Sequence, residues 1–351
     1  MSDFRKRFQE IIEQSYIPSN IDQASVSSAW ADIYKLVLPN IPEKLYRYRG
    51  INDYSVADFK NGTISLCHAV MFPDKYDSYS YVNEDRIHED LEKSLKNALR
   101  IALMHIDQKS PHIIFEKATQ ICSYKECGFT DEQIVDKIFE DEYIDFCNNI
   151  ESAIKKQESR FRNPKNSAKI ACLTESVQSK YMWDRYADGY KGFALEYDLR
   201  GCIFKYNELK MNVNLFPIIY TDLRPDVTLD EGNIHTYEYF RQTGDQDWLN
   251  FITSMTSVNQ LYWYRTYLYK DQKEYEHEHE WRILYYNLEN GNDYDTIPDI
   301  GSLKAIYYGP DIRQKDKDEL HDIALKKGIK EYEVSIDANS RKYDLKVIAL
   351  Q

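Results

Sequence analysis

The stretch Lys273 to Tyr286, KEYEHEHEWRILYY, alternates three glutamates with two histidines and runs without a glycine or proline into an apolar strand pattern. Those side chains can ligate metals, move protons or stabilise developing positive charge, so the backbone beneath them decides the chemistry. On a helix, Glu276 and Glu280 share a face at i,i+4. On a strand, Glu276, Glu278 and Glu280 share one side and His277 and His279 the other. A zinc-protease helix needs a second histidine four residues after the first; the residue four after His277 is Trp281, so that reading fails. Continuity into WRILYY favours a strand from about Glu278, with Glu278, Glu280 and Arg282 on one face and His279, Trp281 and Ile283 on the other. The spacing defines no ligand set, and no metal is assigned.

A chain of 351 residues, with 45 Lys+Arg against 58 Asp+Glu and a formal charge of −13, must position this stretch. Its length can bury a sizeable core, and its acidity disfavours general binding to a phosphate backbone. No apolar run reaches the length of a membrane span, and MSDFRKRFQEIIEQSYIP lacks an apolar leader core, so a cytoplasmic protein is expected. Six scattered cysteines, of which only Cys122 and Cys127 lie close, read as reduced thiols. The order of patterns predicts an α+β fold with a mixed or antiparallel central sheet and flanking helices. Residues 1–43 read as N-terminal helices, 84–166 as a helical insertion opened in part by the capping box Thr130–Gln133, and 44–83 with 167–351 as the α+β core. In that core LYRYR, TISLCHAVMF, AKIACLTES, FALEYD, LFPIIYTD, WRILYYN, LKAIYYGP, KEYEVSID and YDLKVIAL read as strands. Helices are expected near SKYMWDRYADGYKG, 246–270 and 312–327.

LYRYRGIN, GTISLCHAVMFPDKYD, ACLTESVQSKYMWDRYADGYKGFALEYD, YEHEHEWRILYY and LKAIYYGP occur in an order that resembles a bacterial family of unknown function, DUF2971. Its members read L-Y-K-Y-R, F-N-D-P-F-D, C-F-S-E with M-W-x-x-Y-A-x-x-x-x-G-F, and W-x-Y-E-x-E-W-R. Here the second motif is Phe72 to Asp77, with both aspartates kept and the proline moved. The third begins Cys172-Leu173-Thr174-Glu175. The resemblance implies a place among accessory genes of phage-defence or toxin-like loci.

A second, weaker resemblance is to the order of sites in ADP-ribosyltransferases: an early arginine strand, a mid-chain Ser/Thr strand end and a late Glu-x-Glu. It implies NAD as substrate, with Arg47 or Arg49 on the pyrophosphate, Thr174 or Ser176 as support, Glu280 as the catalytic carboxylate and Glu278 orienting an acceptor. Tyr48, Trp183 and Tyr186 are the candidate ring-stacking wall, and Asp74, Asp77, Glu175 and Arg282 the candidate loop or site supports. A fixed anion would stabilise the charge that develops as the nicotinamide bond breaks, and a bidentate cation would hold the pyrophosphate. No G-x-G-x-x-G follows a strand, which removes a Rossmann reading. Three alternatives stay open. Glu280 and Arg282 could form structural ion pairs with Arg47 and Arg49. The chain could be a non-catalytic binding or regulatory protein that holds a protein partner through its insertion. Asp74, Asp77, Glu175 and Glu278 could bind magnesium in a nuclease.

Overall fold

The computed structural model describes residues 3–14, 16–18, 23–104, 121–144, 164–206, 209–212, 214–234, 257–259, 262–285 and 293–350. The strands are β1 (Tyr16–Pro18), β2 (Leu45–Arg49), β3 (Thr63–His68), β4 (Lys169–Thr174), β5 (Phe193–Tyr197), β6 (Ile203–Tyr206), β7 (Leu209–Asn212) and β8 (Leu215–Pro217). They continue as β9 (Ile219–Thr221), β10 (Ser257–Asn259), β11 (Tyr269–Asp271), β12 (Glu280–Tyr285), β13 (Tyr294–Pro298), β14 (Leu303–Tyr308), β15 (Lys330–Ile336) and β16 (Leu345–Ala349). Ten of these strands form one sheet, ordered β13-β3-β4-β2-β5-β14-β15-β16, with β12 pairing both β4 and β8. Its pairs are antiparallel except β14 with β15, so the fold is α+β as expected.

The period-2 alternation of the central strands sorts their side chains into two cores, one on each face. Leu45, Phe193, Leu195, Ile306 and Tyr308 pack on one side with Phe8, Ile33 and Val37 of the helices Asp3–Gln14 and Gln23–Val37, and with Leu320 and Ala324 of Gln314–Lys327. Tyr46, Tyr48, Ala194, Ala305 and Tyr307 pack on the other with Trp183 of the short helix Lys180–Tyr186. Between β2 and β3 lies the helix Asp53–Asn61. Its N-terminus is closed by a reciprocal Asn52–Ser55 capping box and its C-terminus by Gly62 in the left-handed conformation.

The expected insertion is helical where it is described: Glu84–Met104 packs on Asp131–Glu142, burying Leu95, Leu99 and Leu103 with Ile134, Val135 and Ile138. The Thr130–Gln133 capping box is present. Residues 105–120, 145–163 and most of the helix expected at 246–270 lie outside the described residues. One expectation changes: LFPIIYTD divides into β8 and β9. YDTIP, not expected as a strand, forms β13, which is largely exposed, pairs among the described residues with β3 alone and ends in proline, which a sheet edge tolerates. Among the described residues no helix is long and apolar enough to cross a membrane.

Candidate functional site

β4 is the axis of the site. One of its edges is bonded along its whole length to β12, from Glu280 opposite Thr174 to Tyr285 opposite Lys169. Its other edge is divided: β3 takes the start, at Lys169 and Ile170, and β2 takes the end, pairing Tyr46 with Thr174. Two strands cannot occupy one edge at the same residues, so the sheet forks over Ala171 to Leu173. A cavity of about 260 Å³ occupies the fork. It is lined by consecutive residues of β2, Tyr46 to Arg49, and so meets the strand at its edge rather than on one face. Arg47 spans the gap, its Nη2 donating to Ser65 Oγ on β3 at 3.2 Å.

At the floor of the cavity five charges interlock. Arg282 donates Nη1 to Asp77 Oδ1 (2.9 Å), Nη2 to Asp77 Oδ2 (2.5 Å), and Nε to Glu280 Oε1 (2.7 Å). Lys270 donates to Glu280 Oε2 (2.9 Å) and Glu278 Oε2 (2.7 Å), and Tyr186 Oη donates to Glu278 Oε1 (2.8 Å). None of these five charged side chains is more than 6% exposed. Burial pushes the Glu280 carboxyl up, but Arg282, Lys270 and the Cys172 thiol outweigh it and hold it down at about 2. Burial pulls Lys270 and Arg282 down, and their carboxylate partners carry both well above their ordinary values. Three carboxylates against two cations leave one net negative charge in a water-poor setting. That charge falls on Glu278, whose oxygens each have one donor, rather than on Glu280, which is engaged by Arg282, Lys270 and Cys172.

The walls carry the opposite charge. Arg47 and Arg185 line the cavity, and neither has a carboxylate partner among the described residues. Arg49 does, in Asp58 at 3.2 Å. Burial and then the like charge of Arg47 lower the Arg49 guanidinium to about 10, a repulsion that a bound anion would relieve. Phe72, Tyr186 and Tyr275 supply ring surface, and Lys270 lies 4.1 Å from the Tyr275 ring centroid. The chain reaches this wall through a tight reversal after Lys180–Tyr186, where Asp188, Gly189 and Tyr190 all have positive φ. Strain of this kind is held only where the surroundings fix it. Here Gly192 fixes it: a Cβ there would sit 2.1 Å from the Arg49 carbonyl oxygen, so only glycine lets the loop close on the end of β2.

The expected residues are only partly brought together. Arg47, Arg49, Tyr48, Tyr186, Asp74, Asp77, Glu278, Glu280 and Arg282 all line the cavity. Thr174 does not; it is buried and its hydroxyl donates to the Glu278 carbonyl at 2.5 Å. Trp183 is fully buried, edge-on to Tyr48 at 4.9 Å and donating to the Val177 carbonyl, so it is core. The expected common face of Met182, Trp183 and Tyr186 is thus divided, with Met182 and Tyr186 on the cavity and Trp183 inside. Glu175 points elsewhere, bonded to Arg5 and to the Trp281 indole. Glu278 does not belong to a strand: Glu276–Glu278 is a 3-10 turn, His279 has φ 45, and β12 begins only at Glu280. The turn still aims Glu278 and Glu280 at one lysine. His277 and His279 lie apart, on a separate surface depression with Asp222 and Glu276.

The alternative in which Glu280 and Arg282 are one half of an ion-pair network with Arg47 and Arg49 is not formed among the described residues: Glu280 pairs with Lys270 and Arg282, and Arg282 with Asp77. The magnesium set of Asp74, Asp77, Glu175 and Glu278 is not assembled, and among the described residues no group of three or more His, Cys, Asp or Glu could hold a metal ion. Three residues of the site went unread: Lys270, Arg185 and Tyr275. Arg185 sits inside the quoted MWDRYADGY motif, one residue before Tyr186. Lys270 gave no periodic signal, because its role comes from the three-residue strand β11 placed beside β9.

Residues 182–283 match the family model described as "Protein of unknown function (DUF2971)". The matched segment holds the MWDRYADGYKGF and EHEWR motifs and therefore Arg185, Tyr186, Lys270, Glu278, Glu280 and Arg282. LYRYR and FPDKYD, which supply the opposite wall and Asp77, lie upstream of it. No curated protein and no solved structure matches the chain.

Proposed function

We propose, for a chain whose 182–283 segment falls in a family described only as of unknown function, that it consumes a dinucleotide of the NAD class by breaking the bond between nicotinamide and ribose. One observation carries this reading. Two arginines without carboxylate partners among the described residues, Arg47 and Arg185, share a cavity with aromatic rings and with a carboxylate network that has one negative charge in excess. Arg47 and Arg185 would hold the phosphates, Arg47 in the role first expected of it and Arg185 in place of Arg49. Tyr186 and Tyr275 would bound the ring. Glu278 would face the ribose, with Glu280 as its anchor through Lys270. As the C–N bond breaks, its electron pair leaves with nicotinamide and positive charge builds on the ribose, where the fixed anion stabilises it. Water or an acceptor nucleophile then bonds to the ribose carbon and releases its proton to solvent. An activity of this kind fits a toxic or antiviral effector, because it depletes a shared metabolite or modifies a target.

Purified protein incubated with labelled NAD and cell extract is expected to release nicotinamide, and Glu278→Gln to reduce the rate at least about 100-fold. No release and no NAD binding, or an unchanged rate in Glu278→Gln, overturns the reading.

A second reading has its own support. The central charges close into ion pairs, as a structural centre would, and Met104, Phe129 and Ile144 are exposed within the described part of the insertion. A non-catalytic protein that holds a partner through 84–166 would show both features. It predicts a specific partner that is retained by Glu278→Gln and lost when exposed apolar residues of the insertion are replaced by serine.

A further inference from the structure

A second cavity, of about 430 Å³, adjoins the first, and the two share Asp74, Lys270 and Tyr275 as a common wall. Its size lies within the range of small-molecule sites. The geometry points to this cavity as the seat of the ligand's distal nucleoside, a purine-type base with its ribose, so that one ligand spans both cavities. The inference rests on the dinucleotide reading of the first cavity and extends it.

The base would lie on a prebuilt ring platform. Tyr76 and Tyr79 line the cavity with their centroids 6.4 Å apart and are 68% and 47% exposed, so their faces are open to a ligand. The Arg224 guanidinium organises them. It lies 5.7 Å from the Tyr76 centroid, 5.0 Å from that of Tyr79 and 5.6 Å from that of Tyr81, and its Nη1 donates to the Ser80 carbonyl. Lys165 Nζ lies 5.6 Å from the Tyr79 centroid as well, and cation–π contacts of this type hold rings in place at the cavity, where their exposed surface can take a stacked base. Tyrosines fixed in this way on the surface of a cavity are poorly accounted for by core packing, since their burial is incomplete.

Charge separates the two cavities in the sense that such a ligand requires. The arginines without carboxylate partners, Arg47 and Arg185, belong to the first cavity. Asp222 and Glu274, which have no cation partner among the described residues, belong to the second. Carboxylates repel phosphate and accept from hydroxyl and amino groups. The anionic middle of a dinucleotide therefore suits the first cavity, and its uncharged nucleoside end, with donor hydroxyls and a ring amine, suits the second.

Binding of adenosine and of nicotinamide mononucleotide to the full chain, measured separately by calorimetry, tests this. Tyr79→Ala and Arg224→Ala alter exposed side chains, and each should keep its thermal midpoint. Both are expected to weaken adenosine by roughly tenfold, in the range of one ring-stacking contact, and to leave the mononucleotide unchanged. Arg47→Ala should do the reverse. Adenosine that fails to bind, or that binds equally to Tyr79→Ala, overturns the inference while leaving NAD turnover as a separate result. Agmatine displacing adenosine with higher affinity also overturns it, since the cavity then selects a cationic acceptor. If adenosine binds and is lost in Tyr79→Ala while neither the mononucleotide nor NAD binds, the nucleoside site stands and the dinucleotide reading falls.

Discussion

Arg282 and Asp77 lie 205 positions apart in the chain and meet end-on in the interior, two guanidinium nitrogens on two carboxylate oxygens at 2.9 and 2.5 Å. The guanidinium has Asp77 on one end and the Glu280 carboxylate of β12 at its Nε, so the loop after β3 is fastened to β12 by charge rather than by strand pairing. Neither side chain is more than 3% exposed, and removing one leaves the other buried without its charged partner.

Asp77→Asn is accordingly expected to destabilise the protein by about 3 kcal/mol, as for other buried pairs broken on one side. Urea unfolding of the variant against the parent measures it. A loss below about 1 kcal/mol would show that Glu280 alone compensates Arg282.

Acid should act through Glu280. Its carboxyl is held at about 2 in the folded chain, against an ordinary value of 4.5. A carboxyl depressed on folding contributes stability that is present in full above its unfolded value and is lost as pH falls through the folded one. The contribution should therefore fade between about pH 5 and pH 2. Glu280→Gln should be less stable at neutral pH and should lose less on acidification across that window. Unfolding curves at a series of pH values distinguish the two; parallel slopes would contradict the assignment.

Arg47 and Arg49 separate by partner. Arg49 holds Asp58 at 3.2 Å, so Arg49→Ala should cost about 1–2 kcal/mol in stability. Among the described residues Arg47 donates to the Ser65 hydroxyl and to no carboxylate, and it repels Arg49, so Arg47→Ala should leave stability within about 1 kcal/mol and weaken an anionic ligand. Thermal midpoints with and without NAD check both. Equal destabilisation by the two changes would mark Arg47 as structural.

Much of the frame was legible in the sequence because the signals were local. LYRYR, TISLCH, KIACLT, FALEY and LKAIYY became strands at the expected places, and the Thr130 capping box opened its helix. The site was legible as a set of residues and not as a set of partners. The alternation in LYRYR sets Arg47 and Arg49 on one side of a strand, but it does not show that β2 and β3 compete for one edge of β4, and that competition is what creates the cavity. Nor could period 2 reveal the turn at Glu276–Glu278, which has the charge pattern of a strand and none of its backbone. Lys270 was invisible because its neighbours in space come from β9 and β12, and no sequence spacing records that.

The strand order of β4 and β12 also has a consequence for synthesis. Arg47, Ser65 and Asp77 leave the ribosome early, β4 follows far behind, and Glu280 and Arg282 come later still. Until β12 has emerged, Glu280 and Arg282 are both missing, and Asp77 lacks its two-point guanidinium partner. A chain interrupted before that point carries Arg47, Arg49 and Asp77 without Glu280 and Arg282, so the charge network closes only once β12 has been made.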